Sequence, residues 1–280
     1  MTYEYSPVGT DDKAIKEIVD LLRLVFPKAD KYSEAFIKWQ YKNNPDGSVV
    51  GFNAYKNGVL VAHYALIPFT ALLFGEEEKG LLSLNTATHP DHQGNKLFTT
   101  LAALSYTAAA EKGYGFVIGV ANENSTHGFV NKLGFQWVGK LDAKIGLGKI
   151  IHSDIHSDAC FVRIWSNQSV VWRLSNPANN YKIVKNSIYS ATDKPGIEAI
   201  LLDISIVSPL PDNKVSIGFR PIKLFIGIDH SIQWSRSLYF SVPKSLRPSP
   251  LNFIFKDLSN ENRGLDIMNV SFNAFDFDAY

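Results

Sequence analysis

A single cysteine, Cys160, is all that the 280 residues contain. No intrachain disulfide can form, and such cysteine usage fits a reducing compartment. Charge of one sign is also missing: 28 Lys and Arg stand against 27 Asp and Glu, for a formal net charge of +1. Without a long basic run, nothing sets up a field for nucleic acid or for an anionic membrane. No apolar run approaches the roughly 18–20 residues that span a bilayer. The N-terminus, MTYEYSPVGTDDK, lacks the basic and apolar regions of a signal peptide. These absences lead us to expect a cytoplasmic protein with neither a nucleic-acid nor a membrane partner. Cys-x-x-Cys, Gly-x-Ser-x-Gly and Gly-x-x-x-x-Gly-Lys-(Ser/Thr) do not occur either, and the last absence argues against a P-loop nucleotidase.

What is present reads as globular. Hydrophobic residues make up 45% and charged residues 20%, enough for one large domain or two small ones. Apolar residues at Ile15, Ile18, Val19 and Leu22 recur at helical spacing behind Thr10 and Asp11, and Pro27 stops that helix. A second helix is expected over Tyr32 to Tyr41, ended by Asn43-Asn44-Pro45-Asp46-Gly47. Val49–Tyr55 and Val59–Pro68 read as strands joined by Asn57-Gly58, a type I′ signal. Thr70–Phe74 and Glu78–Thr88 read as another hairpin, around Gly75.

The segment from Leu81 to Phe135 carries the most information. An apolar strand, LLSLNTAT, opens through a polar turn, HPDHQGNK, into a helix marked by Leu97, Phe98, Leu101, Leu104 and Ser105. A strand (Phe116–Val120), a short helix (Ser125–Leu133) and a Gly134-Phe135 stop follow. A strand that turns tightly into a helix presents free N–H groups and the positive end of the helix dipole to an anion. Gly94 allows that anion close approach to the backbone.

These residues resemble the GNAT N-acetyltransferase superfamily. Gln93-Gly94 matches the start of its phosphate loop, while Lys96 and Phe98 stand where the family carries Gly or Ala. Asn122-Glu123-Asn124-Ser125 and Lys132-Leu133-Gly134-Phe135 match a second family segment at the expected distance. The likeness covers about residues 4–140. It implies an α/β (α+β) fold, with a mixed central sheet flanked by helices. It also implies acetyl-CoA as acyl donor, no metal, and direct attack of an amine on the thioester. Backbone N–H groups of Gln93, Gly94, Asn95, Lys96, Leu97 and Phe98 would hold the pyrophosphate. Thr86, Ala87 and Thr88 would pair with the pantetheine arm, and Asn122 or Asn124 would touch it. Many family members carry a tyrosine acid where this chain has Val130. His127, one helical turn away, is the remaining candidate acid, and His63 or Tyr64 the candidate base, with Asn85 nearby. Strand alternation puts His63 and Tyr64 on opposite faces, so one should face the cleft. The acceptor would be a small-molecule primary amine, an amino sugar being one candidate. The alternatives are a peptide or protein amine, or a non-catalytic acyl-CoA-binding module.

We expect residues 1–145 to form the acetyl-CoA-binding domain and residues 146–280 a second, sheet-rich one. Residues 139–158 read as a linker with one strand at most. Ile197–Val207, Val215–Ile228 (interrupted at Pro221), Ser237–Val242, Leu251–Phe255 and Ile267–Phe272 read as strands. Phe36-Ile-Lys-Trp39 before Asn44-Pro45 is echoed by Ser169-Val-Val-Trp172 before Asn176-Pro177. That echo points either to a degenerate tandem repeat or to two unrelated helix ends with Asn-Pro stops. His152, Asp154, His156, Asp158 and Cys160 alternate as metal ligands on a strand would, though a solvated linker has the same look.

Overall fold

The computed structural model describes residues 2–153, 159–184, 187–203, 218–243 and 249–277. The first half runs β1 (Glu4–Pro7), α1 (Asp12–Val25), α2 (Glu34–Tyr41), β2 (Val50–Lys56), β3 (Val59–Leu73), β4 (Glu76–Thr88), α3 (Leu97–Glu111), β5 (Phe116–Ala121), α4 (Glu123–His127) and β6 (Gln136–Lys140). The second half runs β7 (Asp142–Leu147), β8 (Phe161–Ile164), α5 (Asn167–Leu174), β9 (Tyr181–Val184), β10 (Ser187–Ala191), β11 (Ile197–Asp203), β12 (Ile222–Ile228), β13 (Leu238–Ser241), β14 (Asn252–Asp257) and β15 (Val270–Asn273).

Local chemistry accounts for most of these boundaries. Asp11 caps α1 by accepting from the Ala14 N–H, and Ser33 caps α2 by accepting from that of Phe36. Asn57 and Gly58 both take positive φ, 50° and 76°, as the expected type I′ turn requires. Phe74 and Gly75 do the same at the β3–β4 turn, with φ of 51° and 89°. Pro68 does not end β3, as expected from the sequence, but lies inside it. It falls where the strand changes neighbour, between the last pairing to β2 at Leu66 and the first to β8 at Thr70. A residue without an N–H is tolerated at such a break.

The two faces of the first sheet are covered differently. Tyr64, Leu66, Leu81, Val117 and Ile254 pack under α3, with Leu97, Leu101, Ala102 and Tyr106 above them. Ala65, Ile67 and Ala87 pack under α1 and α2, with Ile15, Ile18, Leu22, Phe36 and Ile37. Tyr32, Phe36, Trp39 and Tyr41, the aromatics near α2, are all buried in that layer.

The halves repeat each other and exchange a strand. In the first, the order is β2-β3-β4-β5-β14-β6; in the second it is β9-β10-β11-β12-β7-β13. Each has one parallel pair, β4–β5 and β11–β12, in otherwise antiparallel surroundings. The strand that follows β6 crosses into the second half, and the strand that follows β13 crosses back into the first. A chain cut at 145/146 would remove β14 from between β5 and β6, so the expected domain boundary does not coincide with the strand pairing. The expected linker 139–158 likewise contains part of β6 and all of β7.

The two echoing segments meet in the fold. Ser166 caps α5 as Ser33 caps α2. Trp39 and Trp172 stack with ring centroids 4.7 Å apart. Each indole N–H donates to the other residue's carbonyl, at 2.7 and 2.8 Å. This reciprocity is what a local two-fold relation produces.

Arg263 clasps the exchanged β14. Its guanidinium bonds Glu78 on β4 at 2.7 and 2.9 Å, Asp257 at the end of β14 at 2.9 Å, and the Gly115 carbonyl before β5 at 3.1 Å. Burial pushes the Asp257 carboxyl up, but hydrogen bonds from Arg263 and Ser259 outweigh it and hold the group at about 2. We predict that Arg263→Gln lowers stability by about 2–3 kcal/mol, since it strands two partly buried carboxylates. Asp257's folded value lies below its unfolded one of about 3.9. Its stabilisation is therefore complete above about pH 4 and is lost as pH falls toward 2. Urea unfolding of both proteins should show a constant gap at neutral pH that narrows over that window.

Candidate active site

β4 and β5 run parallel through four register pairs, Gly80–Phe116 to Ser83–Gly119, and pair no further. β4 continues to Thr88 with no strand beside it on that edge among the described residues, while β5 goes on pairing with β14 as far as Ala121–Asn252. A gap between two diverging strands results. A bulge marks the divergence. Asn85 and Thr86 together oppose Tyr64, because Leu84 pairs with Ala65 and Ala87 with His63. Asn85 takes φ of 53° there. The His89 N–H turns to β3 and meets the Val61 carbonyl at 2.8 Å. By strand alternation the N–H groups of Thr86 and Thr88 point the other way, into the gap.

Past Thr88, a 3-10 turn over Pro90–His92 leads to the loop. The side-chain amide of Asn95 donates to the His92 and Gln93 carbonyls, at 3.1 and 3.2 Å, and so occupies both oxygens. The Gln93 N–H is spent on the Pro90 carbonyl. The N–H groups of Gly94, Asn95, Lys96, Leu97, Phe98 and Thr99 meet no acceptor among the described residues, and the next, that of Thr100, returns to the Lys96 carbonyl at 3.0 Å. The donor run expected at Gln93–Phe98 is thus shifted by one residue. Gly94 sits at φ 77° and Lys96 at 59°. Lys96 occupies a left-handed position suited to glycine, which explains how the loop keeps its shape without one there. Lys96 is exposed. Phe98 folds inward onto Tyr64, Phe129 and Gly128.

The other candidates lie in varied settings. Asn122 caps α4, its side chain accepting from the Ser125 N–H at 2.9 Å, and Asn124 is exposed. His127 is exposed, with Nδ1 2.8 Å from the Asn131 amide, just before a π-helical turn over Gly128–Lys132. His63 and Tyr64 do face opposite sides, yet neither faces a cleft: both are fully buried. Burial drives His63 down to about 3, so the ring is neutral. Both its nitrogens are engaged, Nε2 with the Tyr41 hydroxyl at 2.8 Å and Nδ1 with Asn53 Oδ1 at 2.7 Å. Burial pushes Tyr64 up to about 12, although hydrogen bonds with Ser83 and Tyr106 oppose the shift. Neither is placed to take a proton from solvent-borne substrate.

Two contributors escaped sequence reasoning because they arrive from far along the chain. Asn252 on β14 links Thr126 to the Trp137 indole, at 2.9 and 3.1 Å. Ser249 accepts from the Glu123 N–H at 3.3 Å. Of the alternating His/Asp/Cys series, His152 contacts Ser231 and Cys160 is half-buried, while Asp154, His156 and Asp158 lie outside the described residues. No group of His, Cys, Asp or Glu among the described residues is arranged to hold a metal.

The equivalent gap in the second half is filled. β11 and β12 also pair through four registers, Ile197–Ile222 to Ile200–Phe225. Beyond them β15 joins β12 at Gly227 and Ile228, on the edge opposite β7. The Phe275 N–H then reaches the Leu201 carbonyl of β11 at 3.3 Å. The chain's own residues 270–275 stand where the first half leaves an opening.

Comparison with known proteins agrees with this geometry. The acetyltransferase (GNAT) domain family model matches residues 8–138. That match spans a little under half of the chain and identifies residues 8–138 as similar to a GNAT acetyltransferase domain. None of the curated proteins compared with it matches. Among solved structures, a probable N-acyltransferase from Enterococcus faecalis V583 is similar, with a TM-score of 0.61 at 9% identity over 92% of this chain and 73% of that one. A GCN5-related N-acetyltransferase from Kribbella flavida gives 0.61 at 9% identity, over 92% and 72%. Saccharomyces cerevisiae N-myristoyltransferase, solved with myristoyl-CoA bound, gives 0.50 at 9% identity over 71% and 65%. At such identities the likeness is one of fold.

The loop conformation is testable without ligand. A Cβ on Gly94 would meet nothing within 4 Å, so only backbone strain opposes it. Gly94→Ala should cost about 1–2 kcal/mol. Lys96→Gly should leave stability within about 1 kcal/mol, relief of strain offsetting the added unfolded-state entropy. Denaturant midpoints at constant slope measure both.

Proposed function

We propose that the protein is an acetyl-CoA-dependent N-acyltransferase that moves the acyl group to a primary amine by direct attack. The observation that carries this is the opening between β4 and β5, with unpaired backbone donors at its mouth. The N–H groups of Gly94 to Thr99 and the start of α3 suit a pyrophosphate. The free edge of β4 at Thr86–Thr88 suits the amide-bearing pantetheine arm, which can add to it as a strand would. The Thr86 N–H is the donor for the thioester oxygen as it gains charge, an interaction worth several kcal/mol in acyl transfer. With His63 and Tyr64 sealed in the core, the ammonium proton leaves to water. The departing thiolate takes its proton from water or from exposed His127.

The acceptor we favour is a small molecule with a primary amine and no charge besides that ammonium. A broad groove between α2 and α5 is lined by Asn43, Pro45, Asn167, Gln168, Val171 and Ser175 around the tryptophan pair, without a charged side chain. Amides and apolar surface of this kind suit a hydroxyl-rich molecule such as an amino sugar better than a cationic peptide. A second reading, a module that binds acyl-CoA without turnover, is favoured by Val130 in place of a tyrosine.

Calorimetric titration with acetyl-CoA tests the reading. We expect one molecule bound per chain, because the second gap is filled. At 100 times its dissociation constant the ligand should stabilise the fold by about 2.7 kcal/mol. Gly94→Trp should abolish both effects. Absence of binding would sink the proposal. Thiol release with amino sugars, set against cationic peptides, then separates transferase from binding module.

A further inference from the structure

Outside the gap, a chain of hydrogen bonds begins at the β4 bulge. Asn85 is held three ways from the α2 side. Its amide donates to Gln40 Oε1 at 2.6 Å and to the Tyr41 hydroxyl at 3.1 Å, and its Oδ1 lies 3.4 Å from the Tyr32 hydroxyl. The chain continues from Tyr41 to His63 Nε2 at 2.8 Å, and from His63 Nδ1 to Asn53 Oδ1 at 2.7 Å. A longer contact of 3.5 Å joins the Asn53 amide to the Tyr55 hydroxyl, which donates to Glu17 Oε2 at 3.1 Å.

The direction of every link follows from the chemistry. Asn53 Oδ1 can only accept, so His63 Nδ1 carries the proton and Nε2 accepts from Tyr41. The Tyr41 oxygen is then free to accept from Asn85. Donors thus point one way, from the bulge to the Glu17 carboxylate, and such aligned chains reinforce one another. Gln40, Tyr41, Asn53 and His63 are at most 2% exposed. Asn85 bears the strained φ of 53° and immediately precedes Thr86. A bulge re-aims the residues beside it, so whatever fixes Asn85 fixes the direction of the Thr86 N–H.

We propose that Tyr41 and His63 are positioning residues for acyl transfer. Through Asn85 they hold the β4 bulge, and the bulge aims the Thr86 N–H at the acyl carbonyl. The proposal rests on the acetyl-CoA reading above. It gives the buried histidine a role that needs no change of protonation.

The test is the carbon-13 resonance of acetyl-CoA labelled at the acetyl carbonyl, which reports hydrogen bonding to that oxygen without any acceptor. On the wild-type protein the bound resonance should be displaced from its free position. Tyr41→Phe keeps the ring and removes the link. It should bind labelled acetyl-CoA within about threefold of wild type, less than 1 kcal/mol, with the resonance moved at least half way back to the free value. Tyr55→Phe and Glu17→Gln, farther from the bulge, should move it the same way by less. An unmoved resonance in folded, ligand-bound Tyr41→Phe overturns the proposal. If Tyr41→Phe does not fold, an unmoved resonance in Tyr55→Phe does so. A wild-type protein that binds acetyl-CoA with no displacement also overturns it and leaves the binding reading intact. A wild-type protein that binds none overturns both.

Discussion

Everything specific to this molecule depends on where β4 stops pairing with β5. Up to Ser83–Gly119 the two strands share a ladder; past it β4 is turned by the bulge at Asn85, while β5 stays with β14. A sheet opened in its interior is costly unless something occupies or stabilises the exposed edges, because unpaired backbone groups lose hydrogen bonds on burial. Here the exposed edge leads into a loop in which Asn95 occupies two carbonyls and the N–H groups of Gly94 to Thr99 meet no acceptor among the described residues. Donors on the strand edge and donors on the loop call for the same kind of occupant, an extended molecule with acceptors and an anionic end.

The second half shows what happens when the same opening is occupied by protein. β11 and β12 diverge after the same number of pairs, and residues 270–275 fill the space. The filling segment is itself anchored. Arg173 donates to the Phe275 carbonyl at 3.1 Å, and Asp276 accepts from the Trp165 indole at 3.0 Å. Two halves with the same strand order thus differ in what stands between their parallel strands. Strand exchange and the Trp39–Trp172 contact tie the halves together, so the open half borrows β14, and with it Asn252, from near the end of the chain.

Local features were legible in the sequence. The Asp11 cap, the Asn57-Gly58 turn, the α3 periodicity and the turn that leads into α3 each depend on neighbours a few residues away, and each lies close to where it was expected. The GNAT relationship was legible for the same reason, since its motifs are local. Features of long-range pairing were not. Nothing in Asp142–Leu147 announces that its partners are Lys223–Gly227, and nothing in Asn252–Asp257 announces Phe116–Ala121. The reading of His63 failed on burial: alternation separates the faces of a strand, but β3 is covered on both by helices. The Trp echo was visible, and only the fold shows that the two tryptophans meet.

The most direct measurement of the central claim is amide hydrogen exchange, residue by residue, with and without acetyl-CoA. If the opening in the first half is the cofactor site and that in the second half is closed by the chain itself, protection should rise at Thr86, Thr88 and Gly94 to Thr99, with no change at Ile197–Ile200 and Ile222–Phe225. Protection appearing along β11 and β12, or bound acetyl-CoA that leaves the Gly94–Thr99 amides exchanging as before, would contradict the account.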